Sequence, residues 1–385
     1  MGSVEAYDPT ASYARCAVAT HDDDPEARRR DVTAGSSASD DEAERHRRVL
    51  TALPMPGPTS RRALLWFGAT AVLILVVYLL VPHLAGIEDT WNRIRDGSPA
   101  WLAAAVALEA ISYAGYAWNV AAVSAADRVV LGFRRSTQIT LAATAATRLL
   151  AAGGAGGIAV TTWALSRAGH GPRGAAKQVS SHLVATYAVF VAAIVLFGTG
   201  LAIAGAEPLL SAVPAVLGAL LSAAYAVAIQ APDALQHRLG QGGGRWRQAL
   251  LAAPQALADG THFTIDLVRR REVGLLGTVV WWVFDVATLW ACFWAFGGHP
   301  NVAELTMAYL LGMLGNLLPL PGGVGGVEGG MVGACAAFGM DAGIALVAVL
   351  AYRAISVWLP ALPGVLALAT LRRAADGAEV VEDAG

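Results

Sequence analysis

The chain has 385 residues, 56% hydrophobic and only 15% charged, with a formal net charge of −2. A soluble domain carries roughly a quarter charged residues, so this composition excludes an ordinary soluble enzyme and points to a polytopic membrane protein. Lys177 is the only lysine among 27 basic residues. That arginine bias, with abundant alanine, indicates a high-GC bacterial genome and so the cytoplasmic membrane of a bacterium.

Residues 1–60 mix acidic and basic side chains and end in Pro54, Pro56 and Pro58. They lack the apolar periodicity of a core and read as a disordered cytoplasmic tail, with no signal peptide ahead of the first apolar run. The charged run at 21–24 reads as a solvated face rather than a metal site. Cys16, Cys292 and Cys335 form no metal spacing and imply no disulfide. Residues 63–81 make a first span of about the required 20 residues. Arg45, Arg47, Arg48, Arg61 and Arg62 precede it and place the N-terminus inside by the positive-inside rule. Residues 88–99 are then external, and 101–123 return the chain to Arg128, Arg134 and Arg135.

Residues 137–165 are long enough to cross once, but crossing would put Arg167, Arg173 and Lys177 outside. A re-entrant hairpin turning at Gly153-Gly154-Ala155-Gly156-Gly157 keeps them inside, so the charge rule selects the hairpin. Residues 182–204 go out and 209–230 come back. The loop that follows carries Arg238, Arg245, Arg247, Arg269, Arg270 and Arg271, and within it 246–268 reads as an amphipathic helix on the inner surface. Residues 275–296 go out, 297–304 form an external turn, and 305–320 enter again. The last span, 344–371, bends at Pro360 and Pro363 and ends inside at Arg372 and Arg373, ahead of a short cytoplasmic tail, 374–385.

The stretch 316–330 interrupts this apolar pattern with two prolines and six glycines. A continuous helix is improbable there, and broken backbone at membrane depth is tolerated only where protein buries it or a wet cavity receives it. The segment reads as the tip of a second re-entrant hairpin. Glu328 falls in the first turn of the returning helix, where the macrodipole favours a carboxylate. Gly153-Gly154-Ala155-Gly156-Gly157 matches Gly322-Gly323-Val324-Gly325-Gly326 at four of five positions. Upstream of each run an acidic residue precedes a tryptophan by nine positions, Glu109 with Trp118 and Asp285 with Trp294. The expected fold is therefore all-α, with six full spans and two oppositely oriented re-entrant hairpins in an inverted repeat across 61–373.

Glu109, Arg148, Asp285, Glu328 and Arg353 all fall within apolar segments, where each ionised group costs about 2.5–3.5 kcal/mol unless partnered. Two readings stand. The five can form a structural ion-pair network that holds the hairpins. Alternatively Arg148 and Arg353 bind a phosphate through their planar forks. Asn316, Gly322, Gly323 and Gly325 would then frame the broken tip, and Glu109, Asp285 and Glu328 would line the polar pathway. His182 reads as a hydrogen-bonded packing residue, and small-residue packing is an alternative role for the glycines. Gly323-Val324-Gly325 is not a nucleotide fingerprint, since Glu328 stands at the third glycine position and no Walker lysine is present. HExxH, GxSxG and CxxC are absent, so no catalytic residue, metal site or cofactor is expected, and no nucleic-acid partner.

The pattern Asn316-x-x-Pro319-x-Pro321-Gly322-Gly323-x-Gly325-x-x-Glu328, followed by Tyr352-Arg353, resembles the lysylphosphatidylglycerol synthase transmembrane region, a flippase-like membrane domain family. The resemblance runs from about Arg61 to Arg373, with a degenerate first copy in which Ala151-Ala152 stand in place of prolines. It implies a non-enzymatic flippase for a phospholipid or lipid-linked substrate, without the fused aminoacyltransferase domain of the best-known members. Two other functions are carried alongside. One is a membrane scaffold for a lipid-modifying enzyme on a separate chain. The other is a membrane-embedded transferase with Glu328 or Asp285 as base.

Overall fold

A computed structural model of the chain describes residues 97–127, 129–149, 155–229, 245–317 and 323–382. The expected tail 1–60, the first span 63–81, most of the external loop 88–99, and Gly153, Gly154 and Gly322 lie outside the described residues. Every regular element among the described residues is a helix. Among the described residues, five helical stretches are long and apolar enough to cross a membrane: Pro99–Ala126, Arg173–Ile203, Pro208–Ala228, Val273–Ala295 and Ala342–Arg373.

Helix α1 is Pro99–Ala126, with its proline in the first turn, where the missing N–H costs nothing. Helices α2 (Phe133–Leu149) and α3 (Ala155–Leu165) lead through a kinked turn at Gly169 into α4, Gly171–Ile203. Next come α5 (Pro208–Ala228), α6 (Arg245–Arg269) and α7 (Leu276–Ala295). Helix α8 (Val302–Met313) starts at Asn301, whose side chain accepts the N–H of Ala303 at 2.8 Å. Helix α9 is Gly326–Ala337, and α10 is Ala342–Arg353, capped by Asp341 through the N–H of Ile344 at 2.7 Å. Helix α11, Leu359–Glu382, carries the backbone beyond the expected end of the last span.

Antiparallel packing of α1 on α7 forms the centre. Ser98 N–H donates to the Ala295 carbonyl (2.8 Å) at one end, and Ser112 Oγ donates to the Trp281 carbonyl (3.0 Å) farther along. A Cβ on Gly115 would lie 2.8 Å from the Gly277 carbonyl, so the two backbones touch where both residues lack side chains.

Two short helix pairs double back against this centre. In α2–α3, a Cβ on Gly157 would meet the Ala143 carbonyl at 2.9 Å; in α8–α9, one on Gly312 would meet the Met331 nitrogen at 2.8 Å. The first pair returns to where it began, because Lys177 Nζ of α4 donates to Asp127 Oδ1 at 2.6 Å, just past the end of α1. Burial works against the Asp127 charge, but the Lys177 hydrogen bond and charge outweigh it and hold the carboxyl below its ordinary range. His170 Nδ1 is 3.6 Å from the same carboxylate, and burial pushes this imidazole down despite it. The second pair also closes on itself, since Gly298 before α8 lies against Ile344 of α10. Asp127 and Gly298 sit at opposite ends of the α1–α7 pair.

The amphipathic helix expected over 246–268 is present as α6, and its buried face docks on protein. Ala258, Gly260, Thr261, Thr264 and Leu267 are buried, and the Thr264 and Ser181 hydroxyls meet at 2.9 Å. The distortion expected at Pro360 and Pro363 falls earlier, as a π-helical turn at Ala354–Trp358. Pro360 has no N–H to give the Ser356 carbonyl, and Tyr113 Oη donates to that oxygen instead, at 3.1 Å.

Gly277→Ala is expected to destabilise by about 1–3 kcal/mol through overpacking against α1. Gly329→Ala, where a Cβ meets nothing within 4 Å, is expected to leave stability unchanged or slightly raised. Thermal unfolding of both variants in detergent checks this, and equal shifts would contradict the packing account.

Candidate functional site

The middle of α1 presents Glu109, Tyr113 and Tyr116 at helical spacing, so the three share one face. Opposite them, α7 presents Trp281, Trp282 and Asp285. Together with Arg148 of α2, His182, Thr186 and Tyr187 of α4, Tyr352 of α10 and Ser356 of the π turn, they line a cavity of about 300 Å³.

Two carboxyl groups form its floor. Glu109 is 4% exposed and lies beside Asp285 and Thr288. Asp285 accepts the Tyr352 hydroxyl at 3.0 and 3.2 Å, and the Tyr309 hydroxyl donates to its Oδ2. Among the described residues, Arg148 is the only arginine or lysine in the lining. Its Nη1 reaches Asn316 Oδ1 at 3.5 Å, which joins the end of α2 to the end of α8. Four lining atoms have no hydrogen-bond partner although they are shielded from solvent: Glu109 Oε2, Arg148 Nε, Thr186 Oγ1 and Ser356 Oγ. Buried polar atoms are normally satisfied, so a mixed set of orphan donors and acceptors around one cavity marks a place for a polar ligand or water.

One wall is aromatic. Tyr116 stacks on His182 at 4.6 Å between ring centroids and on Trp281 at 4.5 Å. His182 Nδ1 meets Asn119 Oδ1 at 2.6 Å, in keeping with its reading as a hydrogen-bonded packing residue. The cavity opens between α3 and α4, where its lining residues Ile158 and Tyr187 are 44% and 58% exposed. Tyr187 lies midway along α4, so the mouth faces sideways from the helix rather than out of its end.

A model of the lysylphosphatidylglycerol synthase TM region matches residues 66–364. The chain belongs to that family. A UPF0104 membrane protein of Methanothermobacter thermautotrophicus is 36% identical over 110 residues, which cover 28% of this chain and 31% of that protein. The chain thus spans less than a third of the length of this curated relative. Every cavity residue named above falls inside the segment matched to the lysylphosphatidylglycerol synthase TM region.

The residues nominated from sequence divide into two groups. Glu109, Arg148 and Asp285 line the cavity, with Asn316 one hydrogen bond away. Arg353 and Glu328 form a separate buried ion pair outside the lining, which also holds the N–H of the exposed Gly325. Arg353, 1% exposed, donates from Nε to Glu328 Oε1 at 2.7 Å, and Glu328 Oε2 accepts the Gly325 N–H at 2.7 Å. Gly323 and Gly325 adopt φ of 69° and 85°, conformations that L side chains resist, and Gly323 packs on Asn316. Sequence reasoning missed Tyr113, Tyr116, Trp281, Trp282, Thr186 and Ser356. The spacing of the two tyrosines from Glu109 was the available signal.

Arg353→Ala is expected to cost about 3–5 kcal/mol by leaving Glu328 buried without its cation. Adding Glu328→Gln should recover much of that loss. The double-mutant cycle is read in thermal stability, and additive losses would contradict the ion-pair account.

Proposed function

We propose that the chain is a flippase that moves a phosphate-bearing lipid or lipid-linked molecule between leaflets, with the cavity as its headgroup site. The observation that carries this reading is a polar cavity holding Arg148 whose exposed lining residues, Tyr187 and Ile158, lie on the flank of the membrane-length α4 and on the short α3 beside it. A lipid headgroup can enter such a mouth while its acyl chains stay in the bilayer. Arg148, with a free Nε and a guanidinium fork, is suited to a phosphate. Asn316 orients it, and the Arg353–Glu328–Gly325 knot fixes the neighbouring backbone. A scaffold for a separate lipid-modifying enzyme needs the tight glycine packing but has no use for the cavity or its orphan polar atoms.

The topology that goes with this function has six spans and two re-entrant pairs, α2–α3 and α8–α9, in a bacterial cytoplasmic membrane with both termini inside. Closure of each pair at its own starting side supports it, as does the meeting of Arg148 with Asn316 between the two pairs.

Transport is tested in vesicles of phosphatidylethanolamine and phosphatidylglycerol carrying a trace of fluorescent phosphatidylglycerol, with leaflet-specific quenching as readout. Arg148→Lys keeps the charge and loses the fork. It should slow movement roughly tenfold, the loss of one charge-assisted hydrogen bond, at unchanged thermal stability. Wild-type rates in both Arg148→Lys and Arg148→Gln would refute the site.

A single-cysteine chain with Arg173→Cys should label only from the cytoplasmic face. Labelling from outside intact cells would break the re-entrant topology.

A further inference from the structure

Glu109, Asp285 and Arg148 set two acids against one base in the cavity. Both acids are more than nine-tenths buried, and they lie side by side where α1 crosses α7. Two carboxylates in contact away from water cannot both stay ionised, and one arginine neutralises only one of them. The hydrogen bonds distinguish the two acids. Asp285 collects the hydroxyls of Tyr309 and Tyr352, an arrangement that suits an ionised acceptor. Glu109 Oε2 has no partner among the described residues although it is buried and faces the cavity, and a protonated Glu109 can donate to Asp285.

The other titratable groups around the pair do not change this balance. Tyr113 on α1, Tyr309 on α8, Tyr352 on α10 and Cys292 on α7 stay neutral near pH 7. His182 on α4 faces the cavity with Nδ1 engaged by Asn119. Arg353, behind Tyr352, is committed to Glu328.

We propose that Glu109 and Asp285 form a proton-binding site linked to Arg148, so that an anionic headgroup entering the cavity brings a proton with it. This rests on the headgroup reading of the cavity. In the empty cavity the pair holds one proton, on Glu109, and Arg148 balances the Asp285 carboxylate. A phosphate on Arg148 draws the guanidinium charge to itself. The carboxylate left behind takes a proton from hydronium in the cavity water, giving a carboxyl and a water molecule. Linkage makes the effect reciprocal: anion binding tightens as pH falls, and a bound anion raises the proton occupancy of the pair.

The test uses the purified full chain in detergent with dihexanoyl phosphatidylglycerol as a soluble probe. Binding is followed by calorimetry, and proton uptake by a pH indicator in weak buffer. Uptake approaching about one proton per bound anion is expected, with affinity rising up to roughly tenfold per pH unit on acidification. In Glu109→Gln the Asp285 carboxylate still takes the proton and uptake should persist, whereas Glu109→Gln/Asp285→Asn has no carboxyl to protonate, and its uptake and pH dependence should be largely lost. Binding without uptake in the wild type, or equal uptake in the double variant, would overturn the proposal.

If the probe does not bind at all, the headgroup reading fails, and so does the linkage to it. Infrared spectroscopy then decides the proton site separately. A protonated-carboxyl band at neutral pH that disappears in Glu109→Gln upholds the loaded pair, and its absence in the wild type removes the site as well. Circular dichroism of the single and double variants guards against reading misfolding as loss of uptake.

Discussion

Placing two acids in contact inside a helix bundle is a constraint that most of the surrounding architecture answers. Glu109 and Asp285 meet because α1 and α7 pack antiparallel with Gly115 against Gly277, closer than any larger residues would allow. Such a pair requires hydrogen-bond donors and a compensating cation at the same depth. The tyrosines of α8 and α10 supply the donors, and Arg148 at the end of α2 supplies the cation. Each comes from an element that must reach the centre of the bundle. The short paired helices α2 and α8 deliver their ends there, where Arg148 meets Asn316.

The broken helices create a second problem, which is solved locally. Helix ends leave N–H groups without intrahelical partners. At the start of α9 the Glu328 carboxylate takes the Gly325 N–H and is itself held by Arg353, so helix cap and buried ion pair are the same group. Arg148, by contrast, stands in the cavity lining with a buried Nε that has no partner among the described residues. Of the two readings open from sequence, the ion pair describes Arg353 with Glu328.

Much of the architecture was legible in the chain. Apolar run lengths and arginine placement marked four of the five described membrane-length helices to within a few residues, while the expected 182–204 began nine residues after the observed Arg173–Ile203. The Pro-Gly stretch marked the break before α9, and Glu328 fell in its first turn as expected. Which residues face inward was harder to read. Helices such as α1 and α7 are apolar on every side, so periodicity does not identify the buried face. The adjacency of Glu109 and Asp285, the stacking of Tyr116 between His182 and Trp281, and the closure of Arg353 on Glu328 depend on helix rotation and long-range register. Local sequence carries no record of either. The position of the π turn was missed for a related reason. Pro360 predicts a disturbed carbonyl, but the compensating hydroxyl belongs to Tyr113, on a helix far away in sequence.

The central claim is that an anionic headgroup enters between α3 and α4 and reaches Arg148. The most direct measurement is an experimental density map of the chain in nanodiscs containing phosphatidylglycerol. The account predicts headgroup density within hydrogen-bonding distance of Arg148, with acyl chains leaving past Ile158 and Tyr187. A cavity that holds only water or has collapsed, with the Arg148 guanidinium closed onto Glu109 and Asp285 and no lipid at the mouth, would contradict it.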